Sequence, residues 1–243
     1  MEKPDISVVI PARNEAATVG AIVRSLRGIG EVVVVDDGST DATAQVAAAA
    51  GARVVASEGG PGKGQAMWKG LAETSGEIVV FCDADLQDFD PSFVTELVRA
   101  LTSSPDAALA KARYAERTGT GGRVNELVAR PALELLHPAL ADLAQPLGGE
   151  YAAWRDVLVE LPFVHGYGVD LGLVLDVAAR FGPASIVEAD LGVRAHRNRS
   201  LDELRPQARV VLEVALHRAG LLTTPVAERP PLRSVPGHVR RSA

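Results

Sequence analysis

Residues 77–91 read EIVVFCDADLQDFDP. An apolar, β-branched run from Ile78 to Phe81 ends in Asp83-Ala84-Asp85. Side chains two apart on a strand share a face, so this spacing sets two carboxylates together at a strand's carboxyl end. Open α/β sheets bind their ligands at that end. Paired carboxylates repel unless a cation stands near them, and Mg²⁺ favours one or two protein carboxylates plus substrate phosphates. Short acidic pairs also end strands that bind no metal, so the neighbouring motifs decide how this one reads.

The first strand runs into Pro11-Ala12-Arg13-Asn14-Glu15, and the second into Asp36-Asp37-Gly38-Ser39-Thr40-Asp41. Gly38 permits a tight turn, and Ser39 or Asp41 can cap the helix that follows. Each motif alone is an ordinary strand-to-helix turn. With Asp83 and Asp85, three strands bring acidic and polar groups to one sheet edge, which points to a nucleotide pocket. Gly59-Gly60-Pro61-Gly62-Lys63-Gly64 is not a P-loop, because Ser57 and Gly64 stand where that motif needs Gly and Ser or Thr. PARNEA, with no glycine, excludes the dinucleotide fingerprint. Lys63 at a helix start can meet a diphosphate or simply be solvated. Gly121-Gly122-Arg123-Val124-Asn125 opens a helix; it reads as an anion site for a phosphorylated acceptor or as a linker and cap. His196 within RAHRNR reads equally as a metal-ligating imidazole among phosphate-binding cations or as a solvated turn.

These residues need elements to hold them. Strand-like runs at 6–10, 31–35, 52–56, 77–82 and 107–111 alternate with helix-like stretches at 15–28, 40–50, 63–75 and 91–102. Short, nearly all-apolar strands between helices imply a mostly parallel sheet covered on both faces. Beyond residue 112 a helix is expected over 123–136, broken or kinked near Pro131. A strand and loop follow at 145–153, a helix at 169–181, a strand at 184–194 and a helix at 200–219. The Pro- and Arg-rich stretch 221–243 is expected to be flexible or partly extended. The division is thus 1–112 as the nucleotide-binding half, 113–220 as the second half of the same domain, and 221–243 as the tail.

The chain has 243 residues, 47% hydrophobic and 23% charged, enough for a sizeable core. A net charge of −6 disfavours nucleic-acid binding. One cysteine excludes a disulfide framework and a Cys-based zinc site. Neither a secretory leader nor a membrane span is expected, which implies a cytoplasmic protein.

PARNEA, DDGSTD, GPGKGQAMW, DADL, GGRVNELVARP, QPLGGEYAA, GYGVDLGL and RAHRNR occur in an order that closely resembles the actinobacterial glucosyl-3-phosphoglycerate synthases. The resemblance runs from about residue 5 to 220. It implies a retaining glycosyltransferase with a GT-A (Rossmann-like) fold and a smaller C-terminal acceptor-binding part. The reaction implied moves glucose from UDP-glucose to the 2-hydroxyl of 3-phosphoglycerate with Mg²⁺ or Mn²⁺. Pro11, Ala12, Arg13, Glu15 and Asp37 would line the uridine site. Lys63 and Ala84 would lie near the nucleotide-sugar, and Asp83 would contact its nucleoside. Asp85 and His196 would hold the metal. Leu147, Gly148, Gly149 and Tyr167 would border the sugar, and Asp170 would hold its hydroxyls. Gly122, Arg123, Val124, Asn125, Arg194 and Asn198 would bind the acceptor. Lys63, Asp170 and Arg194 would carry the catalytic load, and a homodimer is implied. The family usually has Glu at Asp170 and Thr at Asn125, which puts donor and acceptor selectivity in question. Alternatives are another donor hexose or phosphorylated acceptor, a polyprenyl-phosphate sugar synthase, and a non-catalytic nucleotide-sugar sensor.

Overall fold

The strands are apolar throughout because both sheet faces are covered. Val8, Ile10, Val34, Ile78 and Val80 enter one core, while Val9, Val33, Val35, Val79 and Phe81 enter the other. The computed structural model describes residues 4–58, 60, 62–87, 89–114, 116–118, 122–195 and 200–237, with backbone alone at 116–118 and 193–195. In chain order the first half is β1 (Ile6–Ala12), α1 (Val19–Ser25), β2 (Glu31–Asp36), α2 (Thr43–Ala50), β3 (Arg53–Ala56), α3 (Lys63–Glu73), β4 (Ile78–Phe81), α4 (Ser92–Ser103) and β5 (Leu109–Arg113). The second half is β6 (Glu116–Thr118), α5 (Arg130–Leu136), β7 (Tyr151–Trp154), α6 (Arg155–Leu158), β8 (Phe163–Val164), α7 (Val169–Phe181), β9 (Ile186–Asp190), β10 (Val193–Ala195), α8 (Leu201–Arg218) and β11 (Glu228–Arg229).

Seven strands form one sheet in the order β3-β2-β1-β4-β7-β5-β9. All its pairs are parallel except those of β7, which runs antiparallel to both β4 and β5. This is the mostly parallel, helix-flanked GT-A arrangement. The expected strand at 145–153 is therefore a loop and then β7, wedged between two strands of the first half.

Three other expectations change. Pro131 does not break its helix: a π-helical turn, Asn125–Ala129, precedes it and runs straight into α5. The wider turn accommodates a ring that would otherwise crowd the preceding carbonyls. The strand expected at 184–194 divides into β9 and β10 around Gly192, whose φ is +77°. The stretch expected to be flexible is pinned over much of its described part. β11 pairs with β8, the Trp68 indole N–H donates to the Pro230 carbonyl at 2.8 Å, and Leu232 is buried.

Helix α3 lies against the sheet and β8 at glycine distance. A methyl at Gly64 would fall on the Val164 carbonyl, and one at Gly70 on the Val9 side chain. This contact fixes the helix start that carries Lys63. Gly64→Ala is expected to lower stability by about 2–3 kcal/mol despite the better helix propensity of alanine. Urea unfolding measures this; an unchanged midpoint would mean that α3 does not approach β8 so closely.

Candidate functional site

Three loops at the carboxyl ends of β1, β2 and β4 are tied into one rim. Asn14 adopts φ +58°, unusual for a side-chain-bearing residue. Its backbone N–H donates to the Ser39 hydroxyl at 3.0 Å, and its side-chain oxygen accepts the Thr40 N–H at 2.8 Å. The Glu15 N–H donates to the Thr43 hydroxyl at 2.8 Å. The Thr18 hydroxyl donates to the Ala84 carbonyl at 2.6 Å, which fixes the turn between Asp83 and Asp85. That turn lies just beyond β4, so it is the turn, not strand alternation, that brings both carboxylates to the cavity.

Behind the rim is a cavity of about 390 Å³. Its wall includes Pro11, Ala12, Arg13, Glu15, Asp37, Lys63, Asp83, Ala84, Asp85 and Tyr167, ten residues expected from the sequence. Gly62 and Gly166 join them without having been expected. The Gly62 N–H donates to Asp37 at 2.6 Å, and the Gly166 N–H donates to the Gln65 side chain at 3.0 Å. Burial raises the Asp37 carboxyl above its usual range, and the Gly62 N–H pulls against it.

Lys63, the first residue of α3, stands between two carboxylates. Its ammonium lies 2.9 Å from Asp83 and 2.9 Å from Asp170, near the start of α7. Burial alone would lower the Lys63 pKa, but Asp170 and Asp83 overcome it and raise the group above its ordinary range. Burial raises the Asp170 carboxyl, with Lys63 and Lys111 pulling it down. The Tyr151 hydroxyl donates to Asp170 at 3.3 Å. Asp170 thus stands one ion pair behind the cavity wall. Gly149 reaches the same cluster, since a methyl there would fall on the Asp83 carboxylate. Gly148 lies next to it and accepts a hydrogen bond from Lys111.

Lys111 went unnoticed in the sequence, as did Glu150 and Tyr151. All three are buried beneath this cluster. The signal was present: a lysine inside the apolar run AALAKA belongs to a buried strand only if it is partnered.

On the acceptor side, Gly122 has φ +76° and precedes the helical Arg123 and Val124. Asn125 is buried and turned inward. Its amide donates to Glu126 at 2.9 Å and to the Ala144 carbonyl at 3.4 Å, and its oxygen accepts the Leu147 N–H at 3.5 Å. It therefore links the helix start to the loop carrying Leu147 and Gly148. Arg194 lies on β10, which pairs with β6. His196 and Asn198 fall outside the described residues.

The residues present suit a hard divalent cation. Asp85 borders the cavity next to the Lys63-bound Asp83. Mg²⁺ and Mn²⁺ take such carboxylate oxygens and complete their shells with phosphate and water. Among the described residues no three His, Cys, Asp or Glu side chains gather around one point, so substrate oxygens or His196 would have to supply the remaining ligands.

Residues 7–156 match the family profile described as Glycosyl transferase family 2. The glucosyl-3-phosphoglycerate synthase of Mycolicibacterium smegmatis is 45% identical over 236 residues, covering 89% of this chain and 78% of that protein. The synthase of Petrotoga mobilis is 38% identical, with 89% and 74% covered. A crystal structure of the Mycobacterium tuberculosis synthase with Mn²⁺, UDP-glucose and phosphoglyceric acid superimposes with a TM-score of 0.89 at 45% identity, over 95% of this chain and 90% of that one. By its profile match, its relatives and its superposition, the chain is a member of the glucosyl-3-phosphoglycerate synthase family within glycosyl transferase family 2.

Proposed function

We propose that this chain transfers glucose from UDP-glucose to the 2-hydroxyl of 3-phosphoglycerate with retention of anomeric configuration. The observation that carries the reading is the Lys63 ammonium held 2.9 Å from both Asp83 and Asp170 at the wall of the cavity. It is supported by relatives that bear this activity as their name and by a relative's structure that holds Mn²⁺, UDP-glucose and phosphoglyceric acid.

Uridine would occupy the rim between Arg13, Glu15 and Asp37, with the diphosphate directed toward Lys63 and the Asp83–Asp85 turn. Asp85 and His196 would hold Mg²⁺ or Mn²⁺, which when bound neutralises charge on the leaving diphosphate. Lys63 adds a fixed positive charge at the same place, needing no reorganisation as the bond breaks. Leu147, Gly148, Gly149, Tyr167 and Asp170 would surround glucose. Gly122, Arg123, Val124, Asn125, Arg194 and Asn198 would receive the phosphoglycerate.

In the transfer, the bond between the anomeric carbon and the phosphate oxygen breaks. A bond from the acceptor 2-oxygen to that carbon forms on the same face, and the hydroxyl proton passes to the departing phosphate oxygen. Asp83 and Asp170 are both engaged by Lys63, so neither is placed as a separate base. The reading also takes in a homodimer and a cytoplasmic location. Exposed Leu127 and Leu135 near the acceptor helix offer apolar surface that a second copy would cover. Among the described residues no helix is long and apolar enough to cross a membrane.

A matrix of UDP-, GDP- and ADP-sugars against 3-phosphoglycerate and other phosphorylated acids, read by product mass, tests the reading. UDP-glucose with 3-phosphoglycerate is expected to react fastest, and another preferred pair would overturn it. Asp85→Ala or EDTA is expected to lower turnover at least about 100-fold with the circular dichroism spectrum unchanged. Full activity in both would exclude a metal role. Arg123→Ala is expected to raise the KM for 3-phosphoglycerate about 10- to 150-fold, the loss of one charged hydrogen bond. An equal rise in the KM for UDP-glucose would mean that the helix start is not the acceptor site.

A further inference from the structure

Lys111 takes part in none of the steps above. It lies on β5 between Ala110 and Ala112, 1% exposed, with Tyr151 as its backbone partner on β7. Its ammonium donates to the Gly148 carbonyl and stands 4.3 Å from the centre of the Tyr151 ring. The surrounding charges come from four other places in the fold. Asp170 approaches on α7, Lys63 on α3, Asp83 after β4 and Glu150 before β7, with Asp170, Glu150 and Asp83 favouring the cation and Lys63 opposing it. Burial pushes Lys111 down to about 8.

Burying an ammonium is costly, and an apolar side chain of similar length would often serve packing equally well. The partners of Lys111 suggest what the charge is for. Gly148 precedes Gly149, whose Cα lies against the Asp83 carboxylate. Tyr151, under the ammonium, donates its hydroxyl to Asp170. Both threads therefore end on a carboxylate that Lys63 holds, and both run through the part of the site assigned to glucose.

We propose that Lys111 is a positioning residue for the donor's sugar: from beneath the cavity it fixes the Gly148–Gly149 backbone and the Tyr151 ring, and through the ring Asp170. This rests on the donor assignment above. The glucose half of the donor then depends on Lys111, while the uridine half does not.

The test uses the full chain as wild type, Lys111→Met, Lys111→Arg and Tyr151→Phe. Titration calorimetry with Mn²⁺ measures the Kd for UDP and for UDP-glucose, and steady-state rates give kcat and KM. In Lys111→Met, kcat/KM for UDP-glucose is expected to fall at least about tenfold, the loss of a charged hydrogen bond. UDP affinity should stay within about twofold, a split that loss of packing alone would not produce. Lys111→Arg, which keeps the charge, should recover part of the loss. Tyr151→Phe, which cuts only the thread to Asp170, should shift the UDP-glucose to UDP ratio in the same direction by less, and it decides the matter if Lys111→Met does not fold. Equal weakening of UDP and UDP-glucose, or an unchanged ratio in the folded variants, would overturn the proposal. A wild-type chain that does not turn over UDP-glucose would instead overturn the donor assignment, and Lys111 with it.

Discussion

The Lys63 ammonium, largely enclosed at the cavity wall, joins the two halves of this protein. Lys63 begins α3, Asp83 follows β4 and Asp170 opens α7, and the three meet at 2.9 Å on either side of the cation. A buried charge is tolerated only when its partners are in place. Each of these elements must therefore arrive in register before the cluster is satisfied. The glycines that let α3 lie on β8 and the sheet serve the same end, because they set where its first residue stands. The repulsion between the two aspartates is relieved by this lysine at Asp83, and Asp85 borders the cavity beside it.

Around this cluster the site is built in two layers. The upper layer is the rim, where side chains of one loop cap the backbone of the next. Asn14 holds Thr40, Thr43 holds Glu15, and Thr18 holds Ala84. The lower layer is polar and buried, with Tyr151 and Lys111 beneath Asp170 and Gly148. A hydrogen-bonded polar network in a low dielectric is stiff, and stiffness is what charge stabilisation in a reaction requires. The tail strengthens the frame. β11 extends β8, and the Arg229 guanidinium lies 5.3 Å from the Trp68 ring centre while also bonding the Glu58 carbonyl. Glu58 and His165, which the tail holds, flank the loops that carry Gly62 and Gly166.

How much of this was legible in the chain follows from how local each cause is. β1, β2 and β4 could be read because burial on both faces leaves continuous runs such as ISVVI and EVVVV. The rim residues could be read because turn chemistry is local. α7 was placed at 169–181 and found at Val169–Phe181, since its apolar face is unbroken. β7 could not be assigned its place, because its antiparallel insertion depends on β4 and β5, which are distant in sequence. The anchoring of the tail was not legible for the same reason: prolines suppress periodicity, and Leu232 is buried by residues distant in sequence. Lys63 was expected to face a diphosphate, and its pairing with Asp170, 107 residues on, has no local signature. The bonds between Asn125 and the 144–147 loop likewise have no local signature.

The stereochemistry of the product tests the central claim most directly. If Lys63 holds Asp83 and Asp170 so that neither acts as a base, glucose must be attacked from the face that the leaving diphosphate vacates. Proton NMR of the product from UDP-α-glucose and 3-phosphoglycerate reads this from the coupling at the anomeric proton. An α-glucoside on the 2-hydroxyl is expected. A β-glucoside would contradict the account, because it requires a base on the opposite face.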